Sequence, residues 1–352
     1  MISPLAEALL AWYAVHGRTL PWRSNPEPYS ILVSEFMLQQ TRIDTVLVYF
    51  QRWMERFPTI QALAQADEAE VLKTWEGLGY YRRARSLHKT AKIVLEKYQG
   101  KLPSSRQELL QLPGVGEYTA GAIASIAFGK DEIAIDGNIR RVIARLIDLE
   151  LPLRSPQSES QLRSFVIQNL PHGRSGDFNQ ALMDLGALIC TPRSPNCRQC
   201  PLANFCLAYQ QNHQSIRPVI EKRPAIPHYT VTAAIIQQDG KILLAQRPEK
   251  GLLGGLWEFP GGKQKDGESL VECLEREIQE ELGISIKVGE SFGIYKHTYT
   301  HYRVTLHAYF CTITGGEPLP LSASQIRWVF PHEFASFAMG KIDRQIAKKL
   351  AP

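Results

Sequence analysis

The sequence predicts two domains, an all-α N-terminal domain followed by an α+β C-terminal domain. In the first part of the chain, segments 29–43, 85–98 and 117–128 carry apolar residues at helical spacing and are separated by proline and glycine. From Tyr229 the pattern changes to alternating or β-branched runs such as YTVTAAIIQ and RVTLHAYFCTI, interrupted by one strong helix over 268–282. This change of pattern separates the two domains.

The boundary between them is predicted at residues 216–228, IRPVIEKRPAIPH. Three prolines and three basic residues in this stretch are typical of an exposed linker, so we place the domains at 1–215 and 229–352. The chain has 352 residues and a net charge of +5, with 26 Lys and Arg against 21 acidic residues before residue 229 and 14 against 14 after it. The excess positive charge of the first domain favours a polyanionic partner, and a solvated surface explains it equally well.

Composition also predicts where the protein acts. No apolar run approaches the roughly 18 residues of a membrane span, and the start, MISPLAEALLAWYAVHGR, lacks the basic segment of a secretory signal. We therefore expect a cytoplasmic protein without a membrane partner, nucleoid-associated if the source is a bacterium, that acts as a monomer.

Four cysteines, Cys190, Cys197, Cys200 and Cys206, form a C-x6-C-x2-C-x5-C array that predicts a metal centre. A disulfide pair is the less favoured interpretation in a large chain without a secretory segment. Zinc and a four-iron, four-sulfur cluster both accept four cysteine ligands. The gaps differ from those of paired zinc knuckles, which favours iron–sulfur without excluding zinc.

A hairpin between helices is predicted at Leu112–Gly116, LPGVG, before a helix that begins at Glu117. Its two glycines permit a tight turn and expose backbone N–H groups at a helix N-terminus, which bind a phosphate without a basic side chain. The same letters are equally typical of an ordinary turn. Asp136 follows twenty residues after the hairpin, in the motif AIDGNIRRV.

Two further motifs can contribute chemistry. Glu35 is a lone carboxylate among apolar residues in SEFMLQQT, where burial would raise its pKa and make it a general acid, although an exposed helical glutamate is an equal alternative. Tyr80 lies in WEGLGYYRRAR, an aromatic step among glycines followed by arginines. Such a segment can wedge a base stack while the arginines hold phosphates, or it can be a packed loop between helices.

Taken in order, these motifs resemble one family. LPWRSNPEPYSILVSEFMLQQTR, WEGLGYYRRARSLH, LPGVGEYTAGAI, AIDGNIRRV, FNQALMDLGALIC and the four cysteines are similar to the adenine DNA glycosylases called MutY, over residues 12 to about 206. The resemblance implies a helix-hairpin-helix glycosylase domain with one 4Fe–4S cluster in loop 190–206. It further implies base excision repair of adenine mispaired with 8-oxoguanine or guanine in duplex DNA.

The resemblance also implies roles for individual residues. The adenine would be turned out of the duplex, Glu35 would protonate its N7, and Asp136 would stabilise the oxocarbenium-like transition state or trap the sugar covalently. Gln40 and Tyr80 would fill the vacated stack. The residues assigned to DNA contacts and the adenine pocket are Trp22, Arg23, Leu38, Gln40, Thr41, Tyr80, Gly114, Val115, Gly116 and Gln180.

Tyr118 distinguishes two activities. With Asn138, it stands where the family supports the catalytic carboxylate and the water. The related glycosylase/lyases of the endonuclease III type have a lysine at this place, which forms a Schiff base, but no lysine stands between Lys101 and Lys130. We therefore expect base excision without strand cleavage, and keep the lyase-type activity as the least favoured alternative.

The C-terminal domain contains the 23-residue signature of Nudix pyrophosphohydrolases, from Gly262 to Ile284. Glu277, Glu280 and Glu281 fall at i, i+3 and i+4 on one helix face, where they can bind Mg²⁺ or Mn²⁺ on a diphosphate. The pattern thus predicts a possible second metal site.

The resemblance gives this domain a different role. MutY proteins end in a Nudix-like domain that reads the lesion strand, and Tyr299-Thr300-His301 is similar to the segment they use for it. Thr300 would offer a hydroxyl to 8-oxoguanine, and Tyr299 an aromatic wedge. We predict lesion recognition, with a dual-activity protein that also hydrolyses 8-oxo-dGTP or a similar nucleotide as the alternative.

Overall fold

The computed structural model describes residues 2–221, 225–299 and 301–351, so Thr300 lies outside the described residues. The chain forms two compact units. The first contains Met1–Gln65 and Ser86–Arg223, and the second contains Ala66–Arg85 and Pro224–Pro352. Residues 66–85 therefore pack with the C-terminal residues, although the sequence pattern placed them in the helical domain.

The described residues contain fifteen α-helices, and no helix among them is both long and apolar enough to cross a membrane. They are α1 Pro4–His16, α2 Pro21–Ser24, α3 Pro28–Leu38, α4 Ile43–Arg56, α5 Ile60–Gln65, α6 Glu68–Thr74, α7 Arg82–Tyr98, α8 Arg106–Leu109, α9 Glu117–Phe128, α10 Gly137–Leu146, α11 Pro156–Asn169, α12 Ser175–Leu188, α13 Leu207–Gln210, α14 Leu270–Leu282 and α15 Lys341–Leu350.

The helix predicted over 29–43 is two helices. Helix α3 ends at Leu38, and α4 begins at Ile43. Gln40 lies between them with φ 58°, a left-handed conformation that breaks the helical hydrogen-bond pattern and that apolar spacing cannot reveal. Helix α9 begins and ends where the apolar spacing predicts.

The core of the first unit is an apolar cluster shared by α1, α10, α11 and α12. Leu9, Ile139, Ile143, Phe178 and Leu182 are fully buried within it. Helix α10 contributes Ile139, Val142, Ile143 and Leu146 to this cluster, apolar residues at three- and four-residue spacing. This packing fixes the N-terminal end of α10, where Asp136 lies.

Ion pairs and a backbone hydrogen bond hold the C-terminal end of the first unit, at residues 217–219, against the helices. The side chain of Arg217 is 8% exposed and pairs with Asp148 at 2.9 Å and with Glu150 at 3.1 Å. Ile216 and Ile220 on either side of it are exposed, as expected of the predicted linker. The N–H of Leu153 donates to the carbonyl of Val219 at 3.0 Å, so residues 217–219 belong to the helical fold.

The second unit contains a six-stranded mixed sheet. Its strands are β1 His228–Gln238, β2 Lys241–Gln246, β3 Trp257–Glu258, β4 Ser285–Thr298, β5 Arg303–Gly315 and β6 Gln325–Val329. The order is β3-β2-β1-β5-β4, with β6 also paired to β2; β1 and β5 are parallel, and the other pairs are antiparallel.

Helix α14 packs on one face of this sheet. Ser269 and Glu272 form a reciprocal capping box at its start, and Gly283 ends it with φ 69°. Leu274 and Ile278 are buried against Ala234 and Leu243 of the sheet. The three acidic residues of the Nudix signature therefore lie away from this apolar stripe.

Candidate active site

Glu35 lies on the last turn of α3 among apolar residues and is 4% exposed. Burial raises its pKa to about 7; hydrogen bonding with the Tyr118 hydroxyl opposes this, and the charge of Asp136 adds to it. Its Oε2 has no hydrogen-bond partner among the described residues. A buried acid with one unbonded oxygen can hold a proton near neutral pH and donate it to a ligand.

Asp136 is the N-cap of α10. Its Oδ1 accepts from the N–H of Ile139 at 2.7 Å, and its Oδ2 accepts from Nδ2 of Asn138 at 3.0 Å. Burial raises the pKa of Asp136 above its ordinary value, and these hydrogen bonds hold the rise back. Since the charge of Asp136 affects Glu35, the structure brings together the two carboxyls that the sequence separates by a hundred residues.

Tyr118 lies in the first turn of α9, beside the same two carboxyls. Burial raises its pKa well above the ordinary value, and the charges of Glu35 and Asp136 raise it further, so its hydroxyl stays protonated. The hydroxyl also lies 3.9 Å from Sδ of Met183. Tyr118 is therefore a neutral hydrogen-bond donor at this site and offers no amine.

The pocket residues assigned by resemblance lie in the same unit. Trp22 is 4% exposed and meets the ring of Phe50 edge-on at 5.0 Å, while Leu38 and Gln180 are half-buried. Arg23 donates to both oxygens of Asp184, at 2.7 and 2.9 Å. The guanidinium is therefore fixed by an acidic partner.

The sequence analysis missed that partner. Asp184 on α12 is fully buried, and Arg18 also donates to it, from its backbone N–H at 2.8 Å and from Nε at 2.8 Å. Burial would raise the pKa of Asp184, but the two arginines hold it below its ordinary value. The sequence did contain a signal for this buried acid, because Asp184 interrupts the apolar residues of FNQALMDLGAL.

The predicted hairpin joins α8 to α9. Gly114 has φ 79°, and a Cβ at this residue would lie 2.7 Å from Cβ of Ser86 and 2.9 Å from the ring of Phe36, so only glycine fits. Val115 is buried, whereas Gly116 is exposed, with open space where a Cβ would be. The N–H groups that begin α9 thus lie at an uncrowded surface suited to a phosphate.

The two residues expected to enter the base stack both have a left-handed backbone conformation. Gln40 has φ 58° and is exposed, and Tyr80 has φ 50° between Gly79 and Tyr81. Non-glycine residues in this region cost about 1–3 kcal/mol each and concentrate at functional sites. Thr41, beside Gln40, donates from its hydroxyl to the carbonyl of Gln39 at 3.4 Å.

A continuous series of hydrogen bonds joins Asp136 to the cysteine loop. Asn138 donates to Asp136 at 3.0 Å, and its Oδ1 accepts from Nη2 of Arg141 at 2.9 Å. Arg141 also donates from Nε to the carbonyl of Cys190 at 2.8 Å. The orientation of the carboxylate is therefore connected to the position of the first cysteine.

The four cysteines line one cavity, together with apolar side chains such as Leu146 and Leu202. Burial raises the pKa of the Cys200 thiol to about 12, and the charge of a bound metal centre would favour its ionised form. Arg145, 1% exposed, donates from Nη1 to Sγ of Cys190 at 3.3 Å and to the carbonyl of Thr191 at 2.7 Å. A buried cation beside the sulfurs suits an anionic centre.

The four cysteines share one cavity, which leaves space between them. A tetrahedral zinc ion needs four sulfurs within about 2.3 Å of one centre, whereas an iron–sulfur cluster fills a larger space between its cysteines. The donor set and the cavity therefore fit a cluster.

In the second unit, the Nudix acids have defined partners. Arg276 donates to Glu277 at 2.7 Å and to Glu280 at 3.3 Å. Glu281 accepts from the N–H of Gly261 at 3.2 Å; burial raises its pKa to about 7, and the charge of Glu258 adds to the rise. Arg276 also pairs with Glu268 at 2.6 Å, so its single positive charge offsets only part of the negative charge on this side of α14.

The segment expected to read the lesion is partly packed into the protein. The ring of Tyr299 stacks on Tyr302 at 4.8 Å and meets His297 edge-on at 4.5 Å, and its backbone N–H donates to the carbonyl of Tyr302 at 2.8 Å. His301 is exposed. Of the two described residues, His301 is thus presented to solvent, while Tyr299 is held against its neighbours.

Three family models match the chain. The HhH-GPD superfamily of base excision DNA repair proteins matches residues 33–157. The iron–sulfur binding domain of endonuclease III matches residues 190–206, and the NUDIX domain matches residues 231–349. The three matches correspond to the helical region, the cysteine loop and the sheet-containing region.

Sequence relatives cover most of the chain. The adenine DNA glycosylase of Homo sapiens is 36% identical over 97% of this chain and 74% of its own length. The adenine DNA glycosylase of Buchnera aphidicola subsp. Schizaphis graminum (strain Sg) is 33% identical over 87% of this chain and 86% of its own length.

Solved structures resemble the helical region. A thermostable thymine-DNA glycosylase matches with a TM-score of 0.54 and 30% identity, covering 58% of this chain and 95% of that one. A trapped endonuclease III–DNA covalent intermediate matches with a TM-score of 0.51 and 24% identity, covering 59% and 95%, which supports the fold alone.

Proposed function

Because the chain belongs to the adenine DNA glycosylases, it is a base excision repair enzyme that hydrolyses N-glycosyl bonds, and we propose that it removes adenine mispaired with 8-oxoguanine or guanine in duplex DNA. The site of Glu35 carries this proposal. An acid whose pKa burial raises to about 7, with one unbonded oxygen beside a second carboxyl, is suited to protonating a leaving base.

The proposed reaction follows from these groups. An adenine inside a duplex is out of reach, so it is first extruded, and Gln40 and Tyr80 fill the gap. Glu35 then donates its proton to N7, which lets adenine leave as a neutral base. Asp136 stabilises the positive charge that develops on the sugar. Tyr118 and Asn138 hold the two carboxyls in place through their hydrogen bonds.

The remaining assigned residues support binding. We propose that Trp22, Leu38 and Gln180 line the adenine pocket, with Arg23 held there by Asp184. The N–H groups around Gly114, Val115 and Gly116 bind a DNA phosphate, and Thr41 contacts DNA next to Gln40. Both catalytic carboxyls come from one chain, so a monomer suffices.

The test of the substrate is single-turnover excision. Duplexes that contain adenine opposite 8-oxoguanine, guanine, cytosine or thymine are incubated with excess protein, and alkali-labile sites are counted. We expect fast excision opposite 8-oxoguanine and guanine only. Equal rates opposite all four bases would contradict the mispair assignment.

We further propose that the enzyme is monofunctional. Tyr118 has no amine to form a Schiff base, so the product strand should break only after alkali or heat. Borohydride reduction during the reaction should trap no covalent complex. Efficient trapping would contradict the proposal, and Tyr118→Lys serves as the positive control for it.

The protein has an iron–sulfur cluster, and we propose that it is a single 4Fe–4S cluster held by Cys190, Cys197, Cys200 and Cys206. When bound, the cluster supplies a charged centre that fixes the loop and can exchange an electron. Anaerobically purified protein should contain about four irons per chain. Stoichiometric zinc without iron would exclude a cluster.

For the C-terminal domain we propose recognition of the base opposite adenine, with Thr300 and His301 as contacts. The alternative is a Mg²⁺- or Mn²⁺-dependent hydrolase, which the placement of Glu277, Glu280 and Glu281 on one side of α14 favours. Lesion reading is the stronger candidate, because the domain belongs to an enzyme that works on duplex DNA.

Two pairs of substitutions separate these candidates. Thr300→Ala with His301→Ala should weaken the preference for 8-oxoguanine over guanine by about fivefold per lost hydrogen bond. Glu280→Gln with Glu281→Gln should leave adenine excision unchanged. If the protein hydrolyses 8-oxo-dGTP with Mg²⁺ and the glutamine pair abolishes this, it has both activities.

A further inference from the structure

The loop at residues 76–81, which carries Tyr80, is held by side chains from the C-terminal end of the chain. Glu76 accepts from Nε of Arg344 at 2.6 Å and from its Nη2 at 3.2 Å. Its Oε1 also accepts from the N–H of Met339 at 3.4 Å, and Lys73 donates to its Oε2 at 2.5 Å. The side chains of Glu76 and Arg344 are 14% and 19% exposed, so solvent screens their ion pair only in part.

A second set of contacts strengthens this connection. The hydroxyl of Tyr81 donates to the carbonyl of Met339 at 3.2 Å and accepts from the N–H of Gly77 at 3.3 Å. Lys73 donates to the carbonyl of Phe337 at 3.4 Å. Arg344 in turn donates to the carbonyl of Phe334 at 2.8 Å, which connects α15 to the segment before it.

The loop also needs external support. Gly77, Gly79 and Tyr80 all have positive φ, so the backbone turns repeatedly and has no regular hydrogen-bond ladder. Within the loop's own neighbourhood, Trp75 donates from Nε1 to the carbonyl of Gly79 at 3.0 Å, and Arg83 donates to the same carbonyl at 3.0 Å. These bonds fix one side of the loop, and the C-terminal contacts fix the other.

We propose that Glu76 and Arg344 are positioning residues that connect the C-terminal domain to Tyr80. Through this pair, the placement of α15 determines where Tyr80 stands when the enzyme extrudes a base. The inference rests on the proposed function in one respect, the assignment of Tyr80 to the DNA; the connection itself exists without DNA.

Hydrogen exchange of the DNA-free protein tests the connection. Arg344→Gln and Glu76→Gln should each accelerate amide exchange at residues 77–81 by about five- to tenfold, because each removes the same half-buried ion pair. The double variant should exchange no faster than Glu76→Gln, which already removes the pairs with both Arg344 and Lys73. Lys348→Gln, which removes an exposed charge from the same helix, is the matched control and should leave exchange unchanged.

Rescue distinguishes positioning from general destabilisation. Arg344→Lys, which keeps a cation beside Glu76, should retain most of the slow exchange at residues 77–81, whereas Arg344→Gln should not. If the single variants exchange like wild type, or if the control accelerates exchange equally, the inference is wrong. Tyr81→Phe removes the hydrogen bonds of this hydroxyl with Met339 and Gly77 and leaves the pair of Glu76 and Arg344 intact. It gives an independent variant should Arg344→Gln fail to fold, and unchanged exchange there would equally contradict the connection.

The effect on DNA is measured with 2-aminopurine in place of the mispaired adenine, because its fluorescence reports extrusion. Arg344→Gln should slow extrusion and single-turnover excision by about five- to tenfold, with affinity for undamaged duplex equal to that of Lys348→Gln. If Arg344→Gln accelerates amide exchange at residues 77–81 but does not slow extrusion, the inference fails. If the wild-type protein excises no adenine, the proposed function fails, and the exchange experiment still decides whether the C-terminal residues hold the loop.

Discussion

Two carboxylates are buried in the first unit, Glu35 on α3 and Asp184 on α12. Burial raises the pKa of Glu35 to about 7, where a tyrosine and a second carboxyl are its neighbours. Asp184 is at least as deeply buried, yet Arg23 and Arg18 hold its pKa below the ordinary value. The two side chains are similarly buried, so burial alone does not explain the opposite directions of their pKa shifts. The difference is that Asp184 has two cationic partners in direct contact and Glu35 has none.

The comparison separates two uses of a buried acid. Asp184 remains ionised and fixes two arginines, which is a structural task. Glu35 keeps an exchangeable proton because no cation pairs with it directly, and this is what a general acid requires. The following predictions test that separation, from the largest expected effect to the smallest.

Glu35→Gln should lower the single-turnover excision rate by at least about 10²–10⁴-fold, because a neutral amide cannot protonate adenine. Binding to the mispaired duplex should persist. The pKa of Glu35 is about 7 in the folded protein and lower in the unfolded chain, so the folded wild type loses stability as pH rises between these two pKa values. Glutamine carries no charge, so at pH 8 the variant should be more stable than wild type, by up to about 3 kcal/mol. Glu96→Gln, an exposed change on α7, is the control. Retention of a tenth of the wild-type rate would remove Glu35 from its role.

Asp184→Asn should instead act on stability. It leaves Arg18 and Arg23 beside a neutral amide, which should lower the free energy of unfolding by about 3–5 kcal/mol. Because the pKa of Asp184 is depressed, its stabilisation is present above the unfolded pKa and is lost as pH falls through the folded value. Denaturant unfolding measures the loss. Asp177→Asn, in an exposed pair with Arg174, should cost less than about 1 kcal/mol; equal losses would contradict the distinction.

Asp136→Asn separates charge from helix capping. Asparagine is as good an N-cap as aspartate, so α10 should remain intact. Loss of the negative charge should slow excision by about 10²–10³-fold, because nothing then opposes the charge on the sugar. Circular dichroism and excision kinetics are measured together. An equal fall in helicity and rate would assign Asp136 to structure alone.

The pH dependence of excision gives the smallest effect. The rate should fall above pH of about 7, by about tenfold per pH unit, as Glu35 loses its proton. It should also fall at acidic pH, where Asp136, whose pKa is raised, becomes protonated. Single-turnover rates from pH 4 to 9 test both arms. A flat profile above pH 7 would mean that another group supplies the proton.

Much of the fold could be predicted from sequence because its signals are local. The apolar spacing of α9 and the β-branched runs of the second unit indicated helices and strands directly, and the family and its fold are confirmed. The split between α3 and α4 could not be predicted, since a single residue of positive φ causes it. Local patterns do not encode such an exception.

The sites were predictable to a smaller extent. The four cysteines were identified from their own spacing and Glu35 as a carboxylate among apolar residues. The resemblance to a known family supplied the roles of Glu35 and Asp136, and these roles remain predictions. Asp184 and Arg344 were missed, because each acts through a partner more than a hundred residues away. Pairing over such distances depends on tertiary packing, which one sequence does not display.

The hydrogen bonds from Asp136 to Cys190 also set an order of events during synthesis. A ribosome completes Arg141 49 residues before Cys190, whose carbonyl Arg141 must contact. Until residues 190–206 have emerged, Arg141 lacks this acceptor, and its hydrogen bond to Asn138 has less support. A nascent chain therefore carries all the proposed catalytic groups before it can orient them fully.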